Sequence, residues 1–152
     1  MGSVKVCSVA RLPDIQDKNL DGLISIRTSK SGYSPEVDKD IIRLVGHKFM
    51  VVWFDDAIPL SQHLISPIQV NNIFFSENHA KSILEFVKDK ENLLIHCDAG
   101  FSRSVAVGAF LRDFFNAEVE FMELGHDKFR NIHVYNILRR VFWGAQDGII
   151  SD

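Results

Sequence analysis

The sequence predicts an α/β fold, with a central, mostly parallel β-sheet of four to five strands flanked by α-helices. Three observations predict it. Short apolar runs of strand length, rich in β-branched residues, recur along the chain. Between and after them the apolar residues change to the 3–4 spacing of helices. The 152 residues are 46% hydrophobic and 24% charged, with mean hydropathy +0.02, which gives room for one packed core and excludes disorder or a collagen-like chain. No internal repeat or low-complexity linker divides the chain, so residues 1–152 read as a single domain.

Strands are expected at Val4 to Val9, Leu23 to Ile26, Phe49 to Phe54 and Leu93 to Ile95. A surface loop is expected from Thr28 to about Asp38, where periodicity is lost and Gly32 and Pro35 occur, and a second from Asp55 to about Asn72. Ala80, Ile83, Leu84 and Val87 form one buried helix stripe, with Ser76 placed to cap its N-terminus and Glu77 favourable in its first turn. A run from Ser104 to Phe115 and another carrying Val134, Ile137, Leu138, Val141 and Phe142 make the last third helical. Phe110, Phe114 and Trp143 read as packing residues.

A formal charge of −3 gives no general attraction for nucleic acid, so an anionic ligand would need a local site. No apolar run approaches the ~18 residues of a membrane span, and the N-terminus carries no apolar signal core. Cys7 and Cys97 form neither a disulfide framework nor a metal knuckle, which fits a reducing, cytoplasmic compartment; a monomer is expected. His47, His63, His79, His126 and His133 lack metal-ligand spacing, so neither a metal nor a cofactor is assigned.

The chemistry is concentrated in Leu93-Leu-Ile-His-Cys-Asp-Ala-Gly-Phe-Ser-Arg-Ser104. A buried strand delivers Cys97 to its C-terminal end, a loop of Asp98, Ala99, Gly100, Phe101 and Ser102 follows, and a helix begins after it. Strand ends are where α/β sheets bind ligands, and the amide groups of a tight loop before a helix N-terminus make a concave anion site. Gly100 lets that loop turn tightly. A cysteine so placed, beside a cation, ionises more readily than a free thiol. Arg103 is the cation, six positions on, with a planar fork suited to two phosphate oxygens.

The pattern His-Cys-x-x-Gly-x-x-Arg-Ser, after an apolar strand and before an apolar helix, resembles the cysteine-dependent protein tyrosine phosphatase superfamily. It is most similar to the small dual-specificity branch with its compact bacterial and phage-type members. The resemblance runs from about Leu23 to Arg140, and the tight match is confined to residues 94 to 104. It implies a metal-free, two-step hydrolysis in which Cys97 attacks phosphorus and water releases phosphate from the cysteinyl phosphate. It also implies that His96 buttresses the cysteine, that Ser104 helps the thiolate leave, and that Asn131 steadies the phosphate loop.

The same resemblance calls for a general acid on a loop after the third strand, where Asp55 and Asp56 stand 42 and 41 residues before Cys97. Trp53-Phe54-Asp55 echoes the Trp-Pro-Asp loop of larger members, with Phe in place of Pro, while the apolar-x-Asp ending of small members selects Asp56, which is preferred. Cys7 lacks the loop and is expected in the core. The unadorned phosphate loop favours a phosphoprotein or phosphopeptide substrate, phosphotyrosine first. Two alternatives are a non-catalytic phosphoprotein-binding module of the same fold and a rhodanese-like sulfurtransferase.

Overall fold

The computed structural model describes residues 1–28, 33–59 and 72–151, with the side chains of the last stretch described through 145. Five strands, β1 (Ser3–Ser8), β2 (Gly22–Arg27), β3 (Phe49–Trp53), β4 (Asn92–Cys97) and β5 (Glu118–Phe121), form one parallel sheet in the order β3-β2-β4-β1-β5. The α/β class and the parallel sheet are as the sequence predicts. Both faces are covered, as a parallel sheet requires. The helices α2 (Glu77–Val87), α3 (Arg103–Phe115) and α4 (Ile132–Ser151) pack on one face around Ile24, Ile26, Ile95 and Phe110. On the other face, α1 (Pro35–Val45) and a 3-10 helix (Val9–Asp14) close over Cys7, Leu23, Ile41 and Leu94.

β4 inserts between β1 and β2, so its C-terminal end, and Cys97 with it, emerges at the middle of the sheet. α3 leaves directly from that end and is buried along its first nine residues, from Arg103 to Leu111. Gly108 allows this closeness, because a Cβ there would stand 2.7 Å from the Val6 side chain on β1.

Three expectations are corrected. The loop placed from Thr28 to Asp38 ends earlier: Ser34-Pro35-Glu36 opens α1, with Pro35 at the first helical position, Glu36 and Asp38 in the first turn, and Ile41 and Val45 inward. Gly32 of that loop lies outside the described residues. The final third is not wholly helical, since Glu118-Val-Glu-Phe121 forms the edge strand β5. Its strict alternation was a strand signal in itself. The first strand stops at Ser8, because Val9 already belongs to the 3-10 helix.

Other boundaries agree within a residue or two. Ser76 caps α2: its hydroxyl accepts from the His79 amide at 3.4 Å, and the His79 ring accepts from the Ser76 amide at 2.9 Å. Most of the loop expected between Asp55 and Asn72, namely residues 60–71, lies outside the described residues.

Candidate active site

The turn between β4 and α3 wraps around the sulfur of Cys97. Gly100 makes it possible. Its φ of +75° is in the left-handed region, and an added Cβ would fall 2.6 Å from the Ser8 amide nitrogen, so a side chain is excluded both by conformation and by the neighbouring strand. The Gly100 amide then points at Cys97 Sγ from 3.3 Å, and the Ser104 hydroxyl approaches the same sulfur at 3.0 Å from the first turn of α3. Cys97 is only 3% exposed, yet it lines a pocket of about 300 Å³ together with Thr28, Asp56, Asp98, Ala99, Phe101, Ser102 and Arg103. The sulfur is therefore a pocket floor, with the Gly100 N–H donating to it and a hydroxyl alongside.

Arg103, 4% exposed, begins α3 and turns back across the loop. Its Nη1 donates to the Phe54 carbonyl at 2.8 Å and to Thr28 Oγ1 at 3.2 Å, and its Nη2 donates to Asp98 Oδ2 at 3.0 Å. Asp98 Oδ2 also accepts from Thr28 Oγ1 at 3.0 Å, and Oδ1 accepts from the Tyr33 hydroxyl. Burial opposes ionisation of Asp98, but the donors Tyr33, Thr28 and Arg103 outweigh it and hold the carboxyl below its usual range. Tyr33, desolvated and facing that carboxylate, is held well above the ordinary phenol range and stays a donor.

His96 is fully buried beneath the loop. Burial pushes its pKa down to about 4, so the ring is neutral at pH 7. Nδ1 lies 3.3 Å from the Cys97 carbonyl and Nε2 lies 2.7 Å from Ser25 Oγ. A neutral ring can meet both only with its proton on Nδ1, donated to the carbonyl, while Nε2 accepts from Ser25. Ser25 in turn accepts from Arg27 Nε at 2.9 Å, and Arg27 Nη2 donates to Asp38 at 2.6 Å. A hydrogen-bonded chain thus runs from the exposed Asp38 on α1 through the buried Arg27 and Ser25 of β2 to the backbone of the cysteine.

The two adjacent aspartates part company. Asp55 is 8% exposed and its Oδ2 accepts from the Ile73 amide at 2.8 Å, with the Asp55 amide donating back to the Ile73 carbonyl at 2.8 Å. It staples the two ends of the loop together. Asp56 is exposed and lines the pocket, where its Oδ1 accepts from Ser102 Oγ at 2.8 Å and from Asn131 Nδ2 at 2.9 Å. Asn131 joins three segments. Its amide donates to the Ser102 carbonyl at 3.0 Å, and its Oδ1 accepts from the Val134 amide at 3.1 Å, capping α4.

Thus Cys97, Arg103, Ser104, Asp56 and the loop from Asp98 to Ser102 meet at one pocket, with His96 and Asn131 supporting it from below and from the side. Asp55 is not among the residues that line it and binds the Ile73 amide instead. Sequence reasoning missed Ser25, Arg27, Thr28 and Tyr33. The first two had a signal, since a Ser and an Arg alternate into the otherwise apolar Leu23-Ile-Ser-Ile-Arg27, at the strand end where such sheets bind ligands. Tyr33 had none, because its placement depends on how the chain returns to β4.

No family model and no curated protein matches the chain. Among solved structures it is similar to Tk-PTP in the active form, at 17% identity and a TM-score of 0.47, over 92% of this chain and 80% of that one. The likeness is of fold. No helix among the described residues is long and apolar enough to cross a membrane.

Proposed function

We propose that the protein hydrolyses phosphomonoesters, most readily phosphotyrosine in a protein or peptide, through a cysteinyl-phosphate intermediate. The observation that carries this reading is the convergence on one pocket of a cysteine sulfur with amide and hydroxyl donors at 3.3 and 3.0 Å, a buried guanidinium and an exposed carboxyl. Each group has a part. The Cys97 thiolate attacks phosphorus, an S–P bond forms and the ester P–O bond breaks. Asp56 gives its proton to the departing oxygen. With Ser102 and Asn131 donating to Oδ1, Oδ2 is the oxygen that carries that proton.

Water then attacks phosphorus and passes a proton back to Asp56, the S–P bond breaks, and Ser104 donates to the leaving thiolate. Arg103 and the loop amides hold the nonbridging oxygens through both steps, which is where negative charge must be stabilised. Loop donors and a guanidinium supply that stabilisation without a metal. Two unpaired thiols accord with a reducing, cytoplasmic setting.

The test is hydrolysis of p-nitrophenyl phosphate by the purified protein. Turnover inhibited competitively by vanadate and lost in Cys97→Ser is expected. Binding of phosphopeptide without turnover, or persulfide formation from thiosulfate, would overturn the reading.

A further inference from the structure

The roles assigned above leave Asp98 unused, although it follows the nucleophile directly and touches the phosphate-binding cation. Its Oδ2 is 3.0 Å from Arg103 Nη2. A carboxylate and a phosphoryl group are competing acceptors for one guanidinium fork, so the pocket without substrate already contains an anion seated on Arg103. When a phosphoryl group enters, one partner must yield. Arg103 is anchored from behind by the Phe54 carbonyl at 2.8 Å and its side chain is 5% exposed, whereas the Asp98 side chain is 45% exposed. Asp98 is the partner with room to turn.

Once displaced, the Asp98 carboxylate keeps two neutral donors, the hydroxyls of Tyr33 and Thr28, but has lost its cation and stands near a dianion. The charged side chains lining the pocket, among the described residues, are Asp56, Asp98 and Arg103. None of them is a second cation that could take Asp98 up. A basic side chain on the substrate would supply the missing positive charge.

Resting on the phosphatase reading, we propose that Asp98 sets specificity in this pocket: it competes with the phosphoryl group for Arg103 and, once displaced, favours substrates with a basic side chain next to the phosphorylated residue. The opposite possibility, that Asp98 merely holds Arg103 in position, predicts no preference between such substrates and weaker anion binding when Asp98 is removed.

Two phosphotyrosine peptides differing only in an Arg or a Glu beside the phosphorylated residue provide the main test, with the wild-type protein. The Arg peptide is expected to have a kcat/KM about tenfold or more above the Glu peptide at low salt, with the gap narrowing as salt screens it. In Asp98→Asn, and in Asp98→Ser as a second variant, that ratio should collapse toward unity while vanadate inhibits several-fold more tightly than in wild type. Equal rates on the two peptides with wild-type protein would overturn the proposal, as would weaker vanadate inhibition in both variants. Wild-type protein inactive on both peptides and on p-nitrophenyl phosphate would instead overturn the phosphatase reading, and this proposal with it.

Discussion

Cys7 and Cys97 lie on neighbouring parallel strands, one register step apart: Cys7 pairs with His96 and Ser8 with Cys97. They are almost equally hidden, at 0% and 3% exposure. Their surroundings differ completely. Cys7 points to the α1 face, among Leu12, Leu23, Ile41 and Leu94, and burial, with the nearby Glu123 carboxylate, pushes its thiol up to about 12. Cys97 meets the Gly100 amide and the Ser104 hydroxyl at the floor of a pocket. Burial by itself therefore does not separate the two thiols; what separates them is that polar groups of the adjacent loop and helix reach the sulfur of Cys97.

The comparison breaks most visibly under substitution and alkylation. Cys97→Ser should reduce phosphatase turnover to background, whereas Cys7→Ser should keep kcat within a few-fold and instead lower unfolding stability by about 1–3 kcal/mol, the cost of a hydroxyl in a dry cluster. Iodoacetamide should label Cys97 in the folded protein, with vanadate protecting it, and should label Cys7 only after unfolding. Peptide mapping by mass spectrometry distinguishes the two sites. Labelling of Cys7 at the same rate would dissolve the contrast.

Asp55 and Asp56 repeat the lesson at a second pair of neighbours. Asp56→Asn should lower kcat roughly 10²- to 10⁴-fold on alkyl phosphates, whose leaving group needs a proton, and far less on p-nitrophenyl phosphate. Asp55→Ala removes the acceptor for the Ile73 amide and should cost about 1–3 kcal/mol of stability. Its effect on kcat should be the same for both kinds of leaving group. A leaving-group dependence in the Asp55 variant rather than the Asp56 variant would reverse the assignment.

The remaining effects concern pH, and near neutral pH they vanish. His96 is neutral in the folded protein down to about pH 4, while an unfolded histidine protonates near pH 6.5. Its contribution is therefore fully present above pH 6.5 and is lost as the pH falls toward 4, a loss of about 3 kcal/mol. Cys7 acts in the opposite direction: its contribution is whole below about pH 9 and falls as the pH rises toward 12, by about 4 kcal/mol. Urea unfolding across this range, repeated in His96→Gln and Cys7→Ala, should show a flatter acid limb in the first variant and a flatter alkaline limb in the second.

Much of this was legible in the sequence. The apolar runs delivered four of the strands because strands buried on both faces leave no other pattern, and the His-Cys-x-x-Gly-x-x-Arg-Ser segment carries its loop geometry in consecutive residues. β5 and α1 were also written there, in the alternation of Glu118 to Phe121 and the Ser34-Pro35-Glu36 start, but β5 has only four residues and the start of α1 lies against the loop signals of Gly32 and Pro35. What sequence could not supply was contact between distant segments. Asp38 on Arg27, Tyr33 on Asp98 and Asn131 on Asp56 each depend on the sheet order β3-β2-β4-β1-β5, which no local pattern encodes. The choice between Asp55 and Asp56 is of the same kind, since it turns on which carboxylate the loop rotates toward Ser102 and Asn131.

The proposed mechanism requires that Cys97 become covalently phosphorylated during turnover. The most direct measurement is acid quenching of the protein during hydrolysis of a radiolabelled aryl phosphate, followed by peptide mapping. Label on the peptide carrying Cys97, absent from Cys97→Ser and discharged to inorganic phosphate on a chase, is the expected result. Continued hydrolysis with Cys97 unlabelled, or with serine in its place, would contradict the account.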